Sequence, residues 1–117
     1  MPLHILTALI QSLPMSHACG STVFLKMEAL QPPGSFKIRG IGHACEEHAR
    51  RGAKRFVSFS GGNAGIAVAY AGRCLSVPVV VVVGLNDHKA MKRLQPLYRS
   101  AKQVHRAASL APTENTH

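Results

Sequence analysis

Residues Val77–Val83 read Val-Pro-Val-Val-Val-Val-Val, and this run restricts the fold more than any other stretch of the chain. β-Branched valines are stiff at χ1 and suit a pleated strand better than a helix. A strand with no polar residue on either side calls for cover on both faces, which is the situation inside a parallel sheet. Parallel strands need long crossovers, so helices are expected between them. The run is far too short to cross a bilayer, which takes about 20 apolar residues in a helix. The first twenty residues carry no Lys or Arg, so they match neither a secretory signal nor a mitochondrial presequence. The expectation is a soluble cytoplasmic protein with no membrane partner.

The rest of the chain supplies the alternation such a sheet requires. Val23–Glu28 reads as a strand and Gln31–Gly34 as a loop. Lys37–Arg51 reads as a helix, with Ile38, Ile41, Ala44, Cys45 and Ala49 in one stripe and Gly52 as terminator. Phe56–Phe59 is a short buried strand, Ser60-Gly61-Gly62 a tight turn, and Asn63–Leu75 an Ala-rich helix leading to the valines. Leu6–Cys19 reads as a weak helix closed by Gly20, weak because an interior Pro14 costs roughly 3 kcal/mol. Residues 1–84 are thus expected to form an α/β unit, an open parallel sheet with flanking helices. In residues 85–117 the pattern degrades. His88–Arg106 is basic with helical stretches broken by Pro96, and Ala107–His117 is a polar tail.

At 117 residues the chain has room for one small domain. With no Trp and 5% aromatics, its core must be built from Val, Ala, Leu and Ile. The net charge of +9 is compatible with either a solvated basic face or an anionic partner. No motif organises nucleic-acid binding, so no nucleic-acid partner is expected. Cys19, Cys45 and Cys74 are widely spaced and odd in number, which indicates neither a disulfide framework nor a zinc site. His43 and His48 are five residues apart, so they do not stack on one helix face, and no metal is expected.

Two stretches can carry chemistry. In Pro33-Gly34-Ser35-Phe36-Lys37-Ile38-Arg39-Gly40 the lysine lies where a loop becomes a helix. Partial desolvation near the positive end of a helix favours a free amine, the form that attacks a carbonyl. An ordinary solvated lysine in a first helical turn fits the same residues. In Ser60-Gly61-Gly62-Asn63-Ala64-Gly65 the glycines let backbone N–H groups approach a ligand, and the following helix start favours an anion. Ser60 adds a hydroxyl and Asn63 an amide. A simple Asn N-cap after a glycine turn fits equally well. Each turn follows a strand and precedes a helix, where open α/β sheets bind ligands.

Taken together, VFLKME, QPPGSFKIRGIGHAC and SGGNAGIAVAYAGRCLSVP resemble the fold-type II pyridoxal phosphate enzymes with a tryptophan synthase β-like fold. They resemble most the L-serine dehydratase / L-threonine ammonia-lyase group and its serine dehydratase-like members. The resemblance implies that Lys37 carries the Schiff base with pyridoxal phosphate and that Phe36 packs against its ring. It implies that Asn63 hydrogen-bonds the ring's 3-oxygen. Ser60, Gly61, Gly62 and Ala64 would grip the carboxylate of an amino-acid substrate. The implied reaction is β-elimination of serine or threonine to pyruvate or 2-oxobutyrate plus ammonia, in a protein that is homodimeric when full length. Family members are much longer, and the likeness fades after Val83 as it would in a truncated or alternatively spliced product. The alternatives are a non-catalytic fragment that associates with full-length subunits and a basic nucleic-acid module. Without the second half of the fold, apolar surface is expected to be exposed.

Overall fold

The computed structural model describes residues 1–84 and 89, together with the backbone of residues 103–107. A three-stranded parallel sheet carries the core. Its strands are β3 (Phe56–Ser58), β4 (Val79–Gly84) and β5 (Gln103–Ala107), in the order β3-β4-β5. Phe56 pairs with Val79, and Val80 pairs with Gln103. Helix α3 (Asn63–Leu75) is the crossover from β3 to β4, and α2 (Ile38–Arg50) packs beside it. Before these come β1 (Leu9–Gln11), α1 (Leu13–Cys19), β2 (Phe24–Lys26) and a 3₁₀ turn at Glu28–Leu30.

The valines of β4 behave as an amphipathic strand. Val79, Val81 and Val83 are buried with Phe56, Cys45, Ala69 and Ala71, whereas Val80 and Val82 are half-buried. In β3 the alternation is sharper: Phe56 and Ser58 are buried and Val57 is 55% exposed. Among the described residues, then, helices cover one face of the sheet. Both described helices of this unit, α2 and α3, pack on that same side, so the described residues show the expected helical cover on one face only. Burying a valine stabilises by about 1.5–3 kcal/mol, so the covered face dominates this unit's stability.

Close packing of α3 on β4 depends on Gly72. A Cβ there would lie 2.1 Å from Val79 Cγ2 and 2.8 Å from the Val77 carbonyl oxygen. The same joint carries a hydrogen bond from the Val77 N–H to the Gly72 carbonyl, 2.9 Å.

Three sequence expectations are corrected. The helix expected over Leu6–Cys19 is a strand followed by a shorter helix. Leu9–Gln11 pairs antiparallel with Phe24–Lys26, a tertiary contact that overrides local preference. Pro14 consequently sits in the first turn of α1, where its missing N–H has no intrahelical partner to lose. Ser12 Oγ caps that turn by accepting from the Met15 N–H. Second, β2 belongs to this separate two-stranded sheet and not to the parallel one. Third, residues 103–107 form the third parallel strand where basic helical stretches were expected, because Val80–Gly84 offers its second edge for pairing. The other residues expected to be helical or tail lie outside the described residues.

Exposed apolar surface is present as expected. Leu6 is 91% and Phe59 83% exposed, and Leu9, Leu13 and Phe24 are also exposed.

Candidate active site

Helix α2 begins at Ile38, which is fully buried and anchors its first turn. Lys37 is the residue before it and already has helical backbone angles (φ −59°, ψ −23°). Its side chain is exposed, so the expected partial desolvation is not met among the described residues. The cause is geometric: Ile38 takes the core-facing position, and the residues just before it face outward. Phe36 is likewise 61% exposed, which leaves its ring open to a ligand. Ser35, two residues before Lys37, differs from both. It is 7% exposed, and its buried hydroxyl has no hydrogen-bond partner among the described residues.

The loop ahead of Lys37 is tied down at one carboxylate. Glu28 accepts from Arg39 Nε at 2.9 Å and Arg39 Nη2 at 2.7 Å. It also accepts from Thr7 Oγ1 at 2.6 Å and Gln31 Nε2 at 3.2 Å. The Arg39 guanidinium, then the Thr7 hydroxyl, hold the Glu28 carboxyl down at about 2. Gln31 is buried and bridges to the N-terminal segment. The Ile5 N–H donates to Gln31 Oε1 and Gln31 Nε2 donates to the Ile5 carbonyl, each at 2.9 Å. Lys26 Nζ donates to the Thr7 carbonyl at 2.6 Å. Sequence reading gave none of these residues a role. Apart from Gln31 and Glu28, three residues apart in one turn, their partners lie 11 to 26 positions away along the chain, and no local pattern marks such pairings.

The second turn lies at the carboxyl end of β3. Here Gly62, not Asn63, is the N-cap of α3, and Asn63 is the first helical residue. The Asn63 amide is therefore not used as a cap, and the α3 cap makes no side-chain hydrogen bond. The first-turn N–H groups of a 13-residue helix, with its positive end, face this loop without a capping side chain. Ser60 Oγ accepts from the Gly62 N–H at 3.2 Å, which shapes the loop. Gly65 is buried so close beneath it that a Cβ would stand 1.8 Å from the Ser60 carbonyl oxygen. Gly62 and Asn63 are exposed, and Ser60, Gly61 and Ala64 are partly so.

The fold brings the two turns to one end of the unit. Residues 51–55 link the end of α2 directly to the start of β3, and a cavity of about 380 Å³ between them is lined by Ile41, Cys45 and His48 of α2 and by Arg55 and Phe56. The start of α2 therefore lies toward the carboxyl end of β3, where α3 begins. For the Ser60–Gly65 turn this is the placement expected from the sheet. For Lys37 the reason differs, because β2 lies outside the parallel sheet and the packing of α2 on α3 does the placing. No group of His, Cys, Asp and Glu able to hold a metal occurs among the described residues.

The profile of the family described as "Pyridoxal-phosphate dependent enzyme" matches residues 1–112, so the match runs past Val83. The chain is 54% identical over 103 residues to human "Serine dehydratase-like", covering 88% of this chain and 31% of that protein. It is 52% identical over 82 residues to human "L-serine dehydratase/L-threonine deaminase", covering 70% of this chain and 25% of that one. Among solved structures, a fungal L-serine ammonia-lyase from Rhizomucor miehei superposes with a TM-score of 0.72 at 28% identity, covering 92% of this chain and 33% of that one. Maize serine racemase superposes with a TM-score of 0.79 at 25% identity, over 93% and 33%. The chain spans a quarter to a third of the length of these relatives. A profile match over nearly the whole chain, with the same fold in the solved structures, settles its affiliation: the chain belongs to the pyridoxal-phosphate dependent enzyme family, with the α/β fold of its fold-type II members.

Proposed function

We propose that this chain contributes the amine and the carboxylate-binding loop of a lyase that deaminates L-serine and L-threonine by β-elimination. The products would be pyruvate or 2-oxobutyrate and ammonia. The observation that carries this reading is the placement of the Lys37 turn and the Ser60–Ala64 turn at the starts of two helices packed side by side. The names of the relatives supply the substrate class.

The residues present fit pyridoxal phosphate. Among the described residues the buried Ser35 hydroxyl, two positions before Lys37, has its donor unspent. The close approach at Gly65 keeps a cradle open at an uncapped helix start. When bound, the cofactor supplies an electron sink for the carbanion left after proton removal. Lys37 would hold it through Nζ, the Phe36 ring would stack on it, and the Asn63 amide would donate to its 3-oxygen. The Ser60 hydroxyl, with backbone N–H groups of Gly61, Gly62 and Ala64, would bind the substrate carboxylate and orient the α-carbon. Once the substrate's own amine has displaced it from the cofactor, the freed Lys37 Nζ would take the α-proton as general base. The full protein is proposed to be a cytoplasmic homodimer serving amino-acid catabolism, with its basic surface solvated.

The test is spectroscopic and then chemical. Incubation with pyridoxal phosphate is expected to give a visible absorbance band that borohydride abolishes and that Lys37→Ala lacks. Pyruvate release from serine then separates an active site from a non-catalytic partner of longer subunits. No band in the parent chain would sink the reading.

A further inference from the structure

We infer that Glu28 and Arg39 form a positioning pair that fixes where Lys37 stands, an inference that rests on Lys37 being the reactive amine. The Lys37 side chain makes no hydrogen bond or ion pair among the described residues, so its location is set by its backbone alone. That backbone is the entry to α2, and α2 has no side-chain cap to hold it. Two things do hold it: the buried Ile38 and the Arg39 fork on Glu28.

The fork differs from an ordinary surface ion pair. Both Glu28 oxygens are engaged by Arg39, and the same carboxylate also accepts from Thr7 of the N-terminal segment and from Gln31 at the end of its own 3₁₀ turn. Gln31 in turn grips Ile5 through both ends of its amide. One carboxylate thus locks the N-terminal segment, the 3₁₀ turn and the first turn of α2 together. By contrast, Glu47 with Arg50 and Arg51 at the other end of α2 is a local pair on one helix surface. Arg39 lies two residues beyond Lys37, about 200° around the helix, so it grips the far side of the turn that presents the lysine. It acts on the site through Lys37 and touches no ligand itself.

The experiment compares Glu28→Gln, Arg39→Gln and the swapped double variant E28R/R39E with Glu47→Gln, all in the full chain. Amide exchange is followed at Ile41, whose N–H donates to the Lys37 carbonyl at 3.0 Å, and at Arg39, which donates to the Phe36 carbonyl at 3.0 Å. Capture of pyridoxal phosphate at Lys37 is followed by borohydride trapping and peptide mass. Each single loss is expected to raise exchange at Ile41, and Glu28→Gln also at Arg39, by about tenfold or more and to weaken capture by a similar factor. Exchange at Ile66 in α3 should stay unchanged. The swapped variant should return both readouts toward the parent, and Glu47→Gln should move neither. Unchanged exchange at Ile41 overturns the inference. So does an equal rise at Ile66, which would mark a general loss of stability. If the parent captures no pyridoxal phosphate, the reading of Lys37 fails, while the exchange arms still decide whether the pair sets this turn.

Discussion

Replacing Gly72 by alanine tests whether α3 and β4 are in true backbone contact. The new Cβ would stand 2.1 Å from Val79 Cγ2 and 2.8 Å from the Val77 carbonyl oxygen. Carbon contacts rest at about 3.5–4.0 Å, so helix and strand must part by roughly 1.5 Å. Val79 is buried and cannot swing into solvent, and the second atom in the way is backbone. Separation also stretches the Val77–Gly72 hydrogen bond. Overpacking costs about 1–3 kcal/mol, and the upper end applies here. Alanine returns about 1 kcal/mol through its better helix propensity. The net expectation is a loss of about 2 kcal/mol, which lowers the thermal midpoint by about 10 °C for a domain of this size. The control is Gly40→Ala in α2, where a Cβ meets no atom within 4 Å. That change should stabilise by up to about 1 kcal/mol. Urea and thermal unfolding followed by circular dichroism read both variants. A Gly72→Ala protein as stable as its parent, or stabilised alongside Gly40→Ala, would refute the packing argument.

Other outcomes follow from the same contacts. Glu28 is held at about 2 against an ordinary value of 4.5, so its stabilising contribution is intact above pH 4.5 and fades as pH falls toward 2. Acid unfolding of Glu28→Gln should therefore lack that part of the pH dependence, and curves that superimpose on the parent's would contradict it. Cys45 is buried, and burial together with Glu46 pushes its thiol up, while Cys19 and Cys74 are exposed. Iodoacetamide at neutral pH should label Cys19 and Cys74 first and reach Cys45 only on unfolding, as peptide mass would show. Gly65→Ala cannot keep the Ser60 carbonyl in place, so pyridoxal phosphate capture should fall together with stability. Normal capture by that variant would mean that the loop tolerates movement.

Much of the architecture was legible without coordinates, for reasons that are local. Asn63–Leu75 emerged with its boundaries intact because an Ala-rich helix between a glycine turn and a valine strand has few alternatives. Ile38–Arg50 followed from its apolar stripe, and the pairing of the two motif turns marked both halves of the candidate site. Leu9–Gln11 could not be read as a strand, because its partner Phe24–Lys26 lies beyond an intervening helix. Gln103–Ala107 was hidden for the same reason: a basic segment becomes a strand only when Val80–Gly84 offers it an edge.

The division follows the range of the forces involved. Periodicity, glycine placement and the valine run are properties of neighbouring residues, so the sequence by itself determined the α/β class, the order of α2, β3, α3 and β4, and Lys37 and Ser60–Gly65 as the residues to watch. Tertiary structure alone decided that Gly62 and not Asn63 caps α3, that Lys37 stands exposed, and that helices cover one side of the described sheet. It alone revealed that Glu28 gathers Thr7, Gln31 and Arg39 at a single carboxylate. Thr7 and Arg39 lie 21 and 11 positions from Glu28 and meet it only after the backbone has folded, and no local propensity encodes that meeting.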